Sequence, residues 1–178
     1  MMSNKETIYL GGGCFWCIEA IFSQVKGVYE TISGYMGGKK EDAKYKNVCQ
    51  GNTGHAEVVK IVFDNNIISF LKILEIFFYV HDPTSINRQG NDIGPQYRSV
   101  IFYSSKNQLK IIEKFVSKIN RKFEDEIVTE VIMMMEFFKA EDYHINYYNL
   151  NQNQTYCSLV ISPKVESFKE KFRNYLTN

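Results

Sequence analysis

Residues 11 to 17 read Gly-Gly-Gly-Cys-Phe-Trp-Cys, which places Cys14 where a glycine turn meets the first turn of a helix. Free amide N–H groups and the positive end of the helix dipole at such a place favour a thiolate over a thiol, and the thiolate is the nucleophilic form of cysteine. The glycines let a substrate approach the backbone closely. The chain's one tryptophan, Trp16, stands two residues from Cys14, where with Phe15 it could seat a small apolar group. A cysteine between aromatic residues can equally be a small core residue, and the glycine run is what favours chemistry. Cys14 and Cys17 also form a C-x-x-C pair, compatible with a redox dithiol or with half of a zinc site. Cys49 and Cys157 are isolated, and His55, His81 and His144 share no short ligand spacing, so a metal site is not expected.

Two further stretches carry groups that could move protons. Thr53-Gly54-His55-Ala56-Glu57 leads into a buried-looking strand. At the mouth of such an element burial would keep Glu57 protonated, able to donate to a substrate oxygen. A solvated strand-edge glutamate is the competing reading, and His55 is read as structural. The segment from His81 to Ser99 holds Asp82, Asn87, Arg88, Gln89, Asn91, Asp92, Gln96, Tyr97 and Arg98, more polar groups than a connector needs. Asp92 could accept from a substrate amine or an ordered water, and Tyr97 could donate to an oxyanion. Hydrogen bonds internal to the loop are the alternative for each of them. Cys157, directly after Tyr156, is either a spectator thiol or a late partner for Cys14.

The elements that must position these groups follow from the apolar spacing. Thr7 to Leu10 has strand character, and after the glycines Ile18, Ile21, Phe22 and Val25 recur at helical intervals. Val28 to Tyr35 and His55 to Asp64 read as strands, the latter buried. Ser69 can cap a helix carrying Leu71, Leu74, Phe77 and Phe78. Arg98 to Tyr103 is a strand, followed by a helix with Leu109, Ile112, Val116 and Ile119 on one face. Glu126 to Met133 is a further strand, and 140 to 148 a short helix. Pro163 opens a last helix with Val165, Phe168, Phe172 and Leu176. This mixed order fits an α+β fold.

The chain has 178 residues, and at roughly 150 residues per domain that predicts one domain over 1–178. Hydrophobic residues are 44% and charged residues 23% of the chain, which is ordinary globular usage rather than that of a disordered chain. With 21 Lys plus Arg against 20 Asp plus Glu, the net charge of +1 gives no bulk attraction to nucleic acid or an anionic membrane. The apolar stretch from Ile73 to Val80 contains Glu75 and lies between Lys72 and His81, far short of the roughly 20 residues of a membrane span. The first residues hold no signal-peptide core and no Arg-rich transit pattern, so a cytoplasmic location is expected, where four cysteines do not make a disulfide scaffold.

The pattern as a whole resembles the A-type peptide methionine sulfoxide reductases, the family that reduces the S epimer of methionine sulfoxide. The resemblance covers GGGCFWCIEAIF at 11 to 22, GVYETISGYMGG at 27 to 38, YKNVCQGNTGHAEVV at 45 to 59, HDPTSINRQGNDIGPQYRS at 81 to 99 and AEDYH at 140 to 144. It departs from the usual family pattern at Ala43 and Asn65, where proline is frequent. What it implies is a two-layer α/β sandwich with a ferredoxin-like βαββαβ core and long coil segments. Cys14 then stands at the nucleophile, and Phe15 and Trp16 at the aromatic pair that receives the methyl group. Glu57 stands at the proton donor, Tyr45 and Tyr97 at the two tyrosines that hydrogen-bond the sulfoxide oxygen, and Asp92 at the aspartate that holds substrate or water. The implied reaction turns Cys14 into a sulfenic acid, which a resolving cysteine converts to a disulfide. That cysteine is Cys157, with Cys17 the alternative, and thioredoxin, or dithiothreitol in vitro, reopens the bond. No bound metal, flavin or nucleotide is implied. The expected substrates are free and protein-bound methionine sulfoxide, the role repair of oxidised proteins under oxidative stress, and the state a monomer.

Overall fold

Residues 4–177 are described by the computed structural model of the chain. The elements are strand β1 (Lys5–Gly11), helix α1 (Phe15–Phe22), β2 (Val28–Met36), the short α2 (Tyr45–Val48), β3 (Ala56–Asp64) and α3 (Phe70–Val80). A small hairpin follows, β4 (Arg88–Gln89) and β5 (Asp92–Ile93), then β6 (Val100–Tyr103), α4 (Lys106–Ile119), β7 (Glu130–Met133), β8 (Phe138–Lys139), α5 (Tyr147–Leu150) and α6 (Ser162–Lys171).

Strands alternate between two faces because successive side chains point opposite ways, and the sequence obeys that period. Ile8, Leu10, Val59, Ile61 and Phe63 face a core built with Ile18, Ile21, Phe22, Leu74, Phe77 and Phe168 of the helices. Tyr9, Met36, Val58, Val100 and Phe102 face the other side, where Ile132 and Phe137 cover them. The sheet runs β7-β6-β1-β3-β2-β8, antiparallel throughout except for the parallel β6–β7 pair. Its inner four strands, β6-β1-β3-β2 with α1 and α3 as crossovers, form the expected ferredoxin-like βαββαβ unit. Truncating a fully buried residue of the helix-facing core, Leu74 for instance, costs about 2–5 kcal/mol.

Ser69 caps α3 as expected, accepting from the Lys72 N–H at 3.3 Å, and Ser105 caps α4 in the same way from Gln108 at 3.2 Å. Other expectations are corrected. Helix α1 ends at Phe22 and α6 at Lys171, so Val25 and Leu176 lie beyond them and pair with each other in an antiparallel bridge. Both stay inward-facing, which is why their spacing imitates a longer helix. Pro163 stands in the first turn of α6 as expected, although a π-helical turn, Cys157–Ile161, already leads into that helix. The stretch 140–148 divides into a 3-10 turn at Asp142–His144 and the start of α5. Among the described residues no helix is long and apolar enough to cross a membrane.

Candidate active site

The end of β1 is seated beneath the 81–99 segment, and the glycines make that contact possible. A Cβ on Gly12 would stand 2.8 Å from the His81 ring, and one on Gly13, whose φ is +90°, would stand 2.9 Å from Gln89 Cβ. The Gly13 N–H donates to the Tyr97 carbonyl at 3.1 Å. His81 is part of this frame. Its Nδ1 meets the Phe77 carbonyl at 2.6 Å and its Nε2 meets Ser99 Oγ at 2.7 Å. Burial pushes its pKa down to about 4, so the ring is neutral. Arg98 ties the segment to its surroundings, donating to the Pro95 carbonyl at 2.8 Å and the Gly54 carbonyl at 3.2 Å while pairing with Glu130 at 3.1 Å. The segment is thus no open loop. Pairing of Gln89 with Asp92 in the β4–β5 hairpin sets the position of the aspartate. His55 is structural as expected, its Nδ1 accepting from the Gly38 N–H at 3.1 Å and its Nε2 lying 2.9 Å from the Lys39 carbonyl.

A cavity of about 270 Å³ lies where these parts meet, lined by Cys14, Phe15, Trp16, Tyr45, Glu57, Asp92, Tyr97 and Tyr156. It gathers around Cys14 the six non-cysteine residues to which the resemblance assigns a role, Phe15, Trp16, Tyr45, Glu57, Asp92 and Tyr97. Cys17 and Cys157 do not line it. Cys17 lies one turn further along α1, and Cys157 is fully buried at the start of the π-helical turn. All four cysteines are free.

Glu57 is 1% exposed and accepts a hydrogen bond from the Phe15 N–H at 3.0 Å, one of the free amides at the start of α1. Burial outweighs that bond, and the nearby Asp92 adds to it, so the pKa of Glu57 rises to about 8 and the carboxyl is protonated at neutral pH. Cys14 differs from the sequence expectation. It occupies the N-cap of α1 and has the Trp16 amide as a partner, which does favour the thiolate. Burial, helped by Glu57 and Cys17, nevertheless pushes its pKa well above the ordinary thiol value. The helix-end effect is present and desolvation exceeds it, which favours the thiol.

The walls are fixed by partners outside the cavity. Trp16 donates from Nε1 to His144 Nδ1 at 3.1 Å and lies parallel to Tyr147, with centroids 3.7 Å apart and planes inclined by 6°. Glu141 accepts from the Tyr45 N–H and from the Tyr35 hydroxyl, each at 2.8 Å. Burial raises the Glu141 pKa, but these two bonds and His144 outweigh it and hold the carboxyl below the usual range. Tyr156 donates to Asp92 Oδ2 at 2.6 Å and presents its ring edge-on to Trp16. Glu19, 4% exposed, accepts from the Asn146 N–H at 2.9 Å and so holds the turn that carries Tyr147. Sequence reasoning assigned no role to Tyr156, Tyr147 or Glu19. Glu141 and His144 sit inside the AEDYH motif without one. Their only sequence signals were neighbours: Cys157 beside Tyr156, and the motif itself.

Comparison with known proteins gives a consistent picture. A family model described as peptide methionine sulfoxide reductase matches residues 6–176. A curated relative from Nitratiruptor sp., named peptide methionine sulfoxide reductase MsrA, is 52% identical over 172 residues, covering 97% of this chain and 99% of its own. The reduced form of Mxr1 from Saccharomyces cerevisiae superposes with a TM-score of 0.80 at 31% identity, covering 86% of this chain and 90% of that one. Mxr1 in complex with Trx2 superposes with a TM-score of 0.56 at 21% identity, covering 81% and 85% of the two chains.

Proposed function

The chain belongs to the peptide methionine sulfoxide reductase family, and from that premise we propose that residues 1–178 form one catalytic domain in which Cys14 reduces the S epimer of methionine sulfoxide, free or in oxidised proteins, with Glu57 as the proton donor. The observation that carries this assignment is one cavity in which the buried carboxyl of Glu57, its pKa pushed up to about 8, stands with Cys14.

Phe15 and Trp16 receive the methyl group, an apolar body with no hydrogen-bonding demand. Tyr45 and Tyr97 face the same space with hydroxyls whose pKa values burial has raised, so they remain donors toward a sulfoxide oxygen. Asp92, fixed by Tyr156, holds substrate or a water. As Cys14 Sγ attacks the sulfoxide sulfur, Glu57 gives its proton to the oxygen, and the carboxylate so formed takes the thiol proton. Charge accumulates on neither sulfur nor oxygen. The oxygen passes to Cys14, methionine leaves as the thioether, and a sulfenic acid remains.

A second thiol condenses with that sulfenic acid, releasing water and leaving a disulfide. We assign it to Cys157, with Cys17 the alternative. Cys157 is shielded in the resting protein, and the π-helical turn that starts with it, a rare element often found at functional sites, adjoins Tyr156 in the cavity wall. Cys17, also buried, is three residues from Cys14 along α1. A dithiol reductant reopens the bond by exchange, and the complex of yeast Mxr1 with Trx2 supports a thioredoxin in that role. Dithiothreitol substitutes in vitro, and no resident metal or organic cofactor takes part in these steps. Free thiols at all four cysteines fit a reducing compartment, and we place the protein in the cytoplasm as a monomer that repairs oxidised proteins.

The test is turnover of separate S and R methyl sulfoxide epimers with dithiothreitol and with thioredoxin. Turnover of S alone, abolished in Cys14→Ser, is the expected result. Turnover that survives Cys14→Ser, or equal turnover of both epimers, overturns the assignment.

A further inference from the structure

Residues 133–135 are three consecutive methionines, exposed by 61%, 37% and 44%. Met36, by contrast, is fully buried in the small core behind the sheet. Met1 and Met2 lie outside the described residues. The exposed run contributes little to packing: Met133 closes β7, and the fixed contact of Met134 is its N–H on the Tyr103 carbonyl at 2.8 Å. Met is the apolar side chain whose thioether is converted to a sulfoxide by mild oxidants, and susceptibility follows exposure.

We propose that Met133, Met134 and Met135 form an oxidation site whose sulfoxides are substrates for the Cys14 cavity of a second copy of this chain. The proposal rests on the reductase reading above and names one of its substrates. The placement of the run on the sheet opposes repair within one chain. Met133 pairs with Tyr103, at the opposite end of β6 from Val100, and Val100 pairs with Gly11 beside the Cys14 turn. Beyond the run, Phe137 packs against Tyr9 on the sheet face away from the helices, and Phe138 is held in β8 against Tyr35. Strand pairing anchors the run at both ends, and Phe137 holds it on the sheet face opposite the helices, whereas Cys14 belongs to the core on the helix face, so the exposed side chains are presented to another copy.

The chemistry balances with a hydroperoxide as oxidant. Hydrogen peroxide transfers one oxygen to a thioether sulfur, which is oxidised by two electrons, and leaves as water. Cys14 of a second copy takes that oxygen as a sulfenic acid and restores the thioether. Condensation with a second thiol releases a further water, and the dithiol reductant is oxidised to its disulfide. Peroxide and dithiol are consumed together, with the methionine run returned unchanged.

The experiment uses isotopically labelled Cys14→Ser and Cys14→Ala proteins, oxidised with hydrogen peroxide, separated from it and mixed with unlabelled wild-type protein and dithiothreitol. N-acetylmethionine S-sulfoxide is reduced in parallel as a control, and peptide mass mapping reads the labelled chain. The expected result is oxidation of residues 133–135 with Met36 spared, then loss of roughly half of that sulfoxide, the S fraction, only when wild-type protein is present. Persistence of the labelled sulfoxide while the control substrate is reduced overturns this proposal and leaves the reductase reading standing. Failure on both substrates overturns both. Oxidation of Met36 as fast as the run overturns the claim that exposure selects it.

Discussion

Tyr147 lies flat on Trp16, 3.7 Å from centroid to centroid, and the turn that holds it there is fastened by a carboxylate of the helix that carries Trp16, Glu19. The indole is therefore braced from α1 through a residue more than a hundred positions away in sequence. The Trp16 wall of the cavity is held in place because the stack fixes its plane and the His144 hydrogen bond its rotation.

Removing that brace should appear in binding before chemistry. An aromatic pair contributes about 0.5–1.5 kcal/mol beyond its buried area, so Tyr147→Ala should raise KM for a methyl sulfoxide roughly 2- to 10-fold with a smaller change in kcat. Steady-state kinetics with N-acetylmethionine S-sulfoxide check this. A fall in kcat at constant KM would mean that Tyr147 acts on the reacting atoms.

Glu57 predicts a pH dependence with a definite sign. Its pKa rises from an ordinary 4.5 to about 8 on folding, so the folded protein holds a proton that the unfolded chain releases. Stability contributed by this group is full below pH 4.5 and declines as pH rises toward 8. Glu57→Gln removes that slope, and its melting temperature relative to wild type should be higher at pH 8 than at pH 5. Activity should fall in wild type as pH passes about 8. The variant should lose roughly 10²- to 10⁴-fold in kcat. Calorimetry and a pH–rate profile test the two halves separately.

The thiols should differ in reactivity in an order opposite to their importance. Cys49 is exposed and Cys14 is buried, with a pKa pushed well above the ordinary thiol value. In substrate-free protein at neutral pH, iodoacetamide should label Cys49 roughly tenfold or more faster than Cys14, since the thiolate is the reactive species. Timed alkylation with peptide mapping decides it. Faster labelling of Cys14 would show that the helix end prevails over burial after all.

Tyr156→Phe deletes only the hydroxyl that donates to Asp92 at 2.6 Å. A hydrogen bond to a carboxylate is worth about 1.5–3 kcal/mol of stability, so the melting temperature should fall by roughly 3–12 °C, and kcat/KM should fall as well because Asp92 loses the contact that positions it. Asp92→Asn combined with Tyr156→Phe should lose less than the sum of the two single changes, because both act on one contact.

Where structure is local, the sequence showed it. Strand, glycine turn and helix at the Cys14 site were readable because alternation, punctuation and helical spacing succeed one another within about twenty residues, and Ser69 announced α3 by its own side chain. Cys14 and six of the residues around it were legible through motifs that the family resemblance covers. The supports behind them were not. Glu19 reaches Asn146, Glu141 reaches Tyr45 and Tyr35, and Tyr156 reaches Asp92 across long stretches of chain, and no periodicity encodes such pairings. Val25 and Leu176 misled because inward-facing residues just beyond a helix keep the spacing of those within it. The state of Cys14 was misjudged for a related reason. A helix end can be read from neighbouring residues, whereas burial is set by parts of the chain that come together only on folding.

A resting site in which both Cys14 and Glu57 keep their protons is a disarmed one. A peroxide, which needs a thiolate to attack it, meets an unreactive sulfur there. On the proposed mechanism a sulfoxide instead brings the basic oxygen that draws the proton from Glu57 and leaves behind the base that frees the thiol. On that mechanism the same desolvation that costs the protein stability above pH 4.5 makes the substrate the trigger of its own reduction, and spares the Cys14 thiol among the oxidants whose damage it reverses.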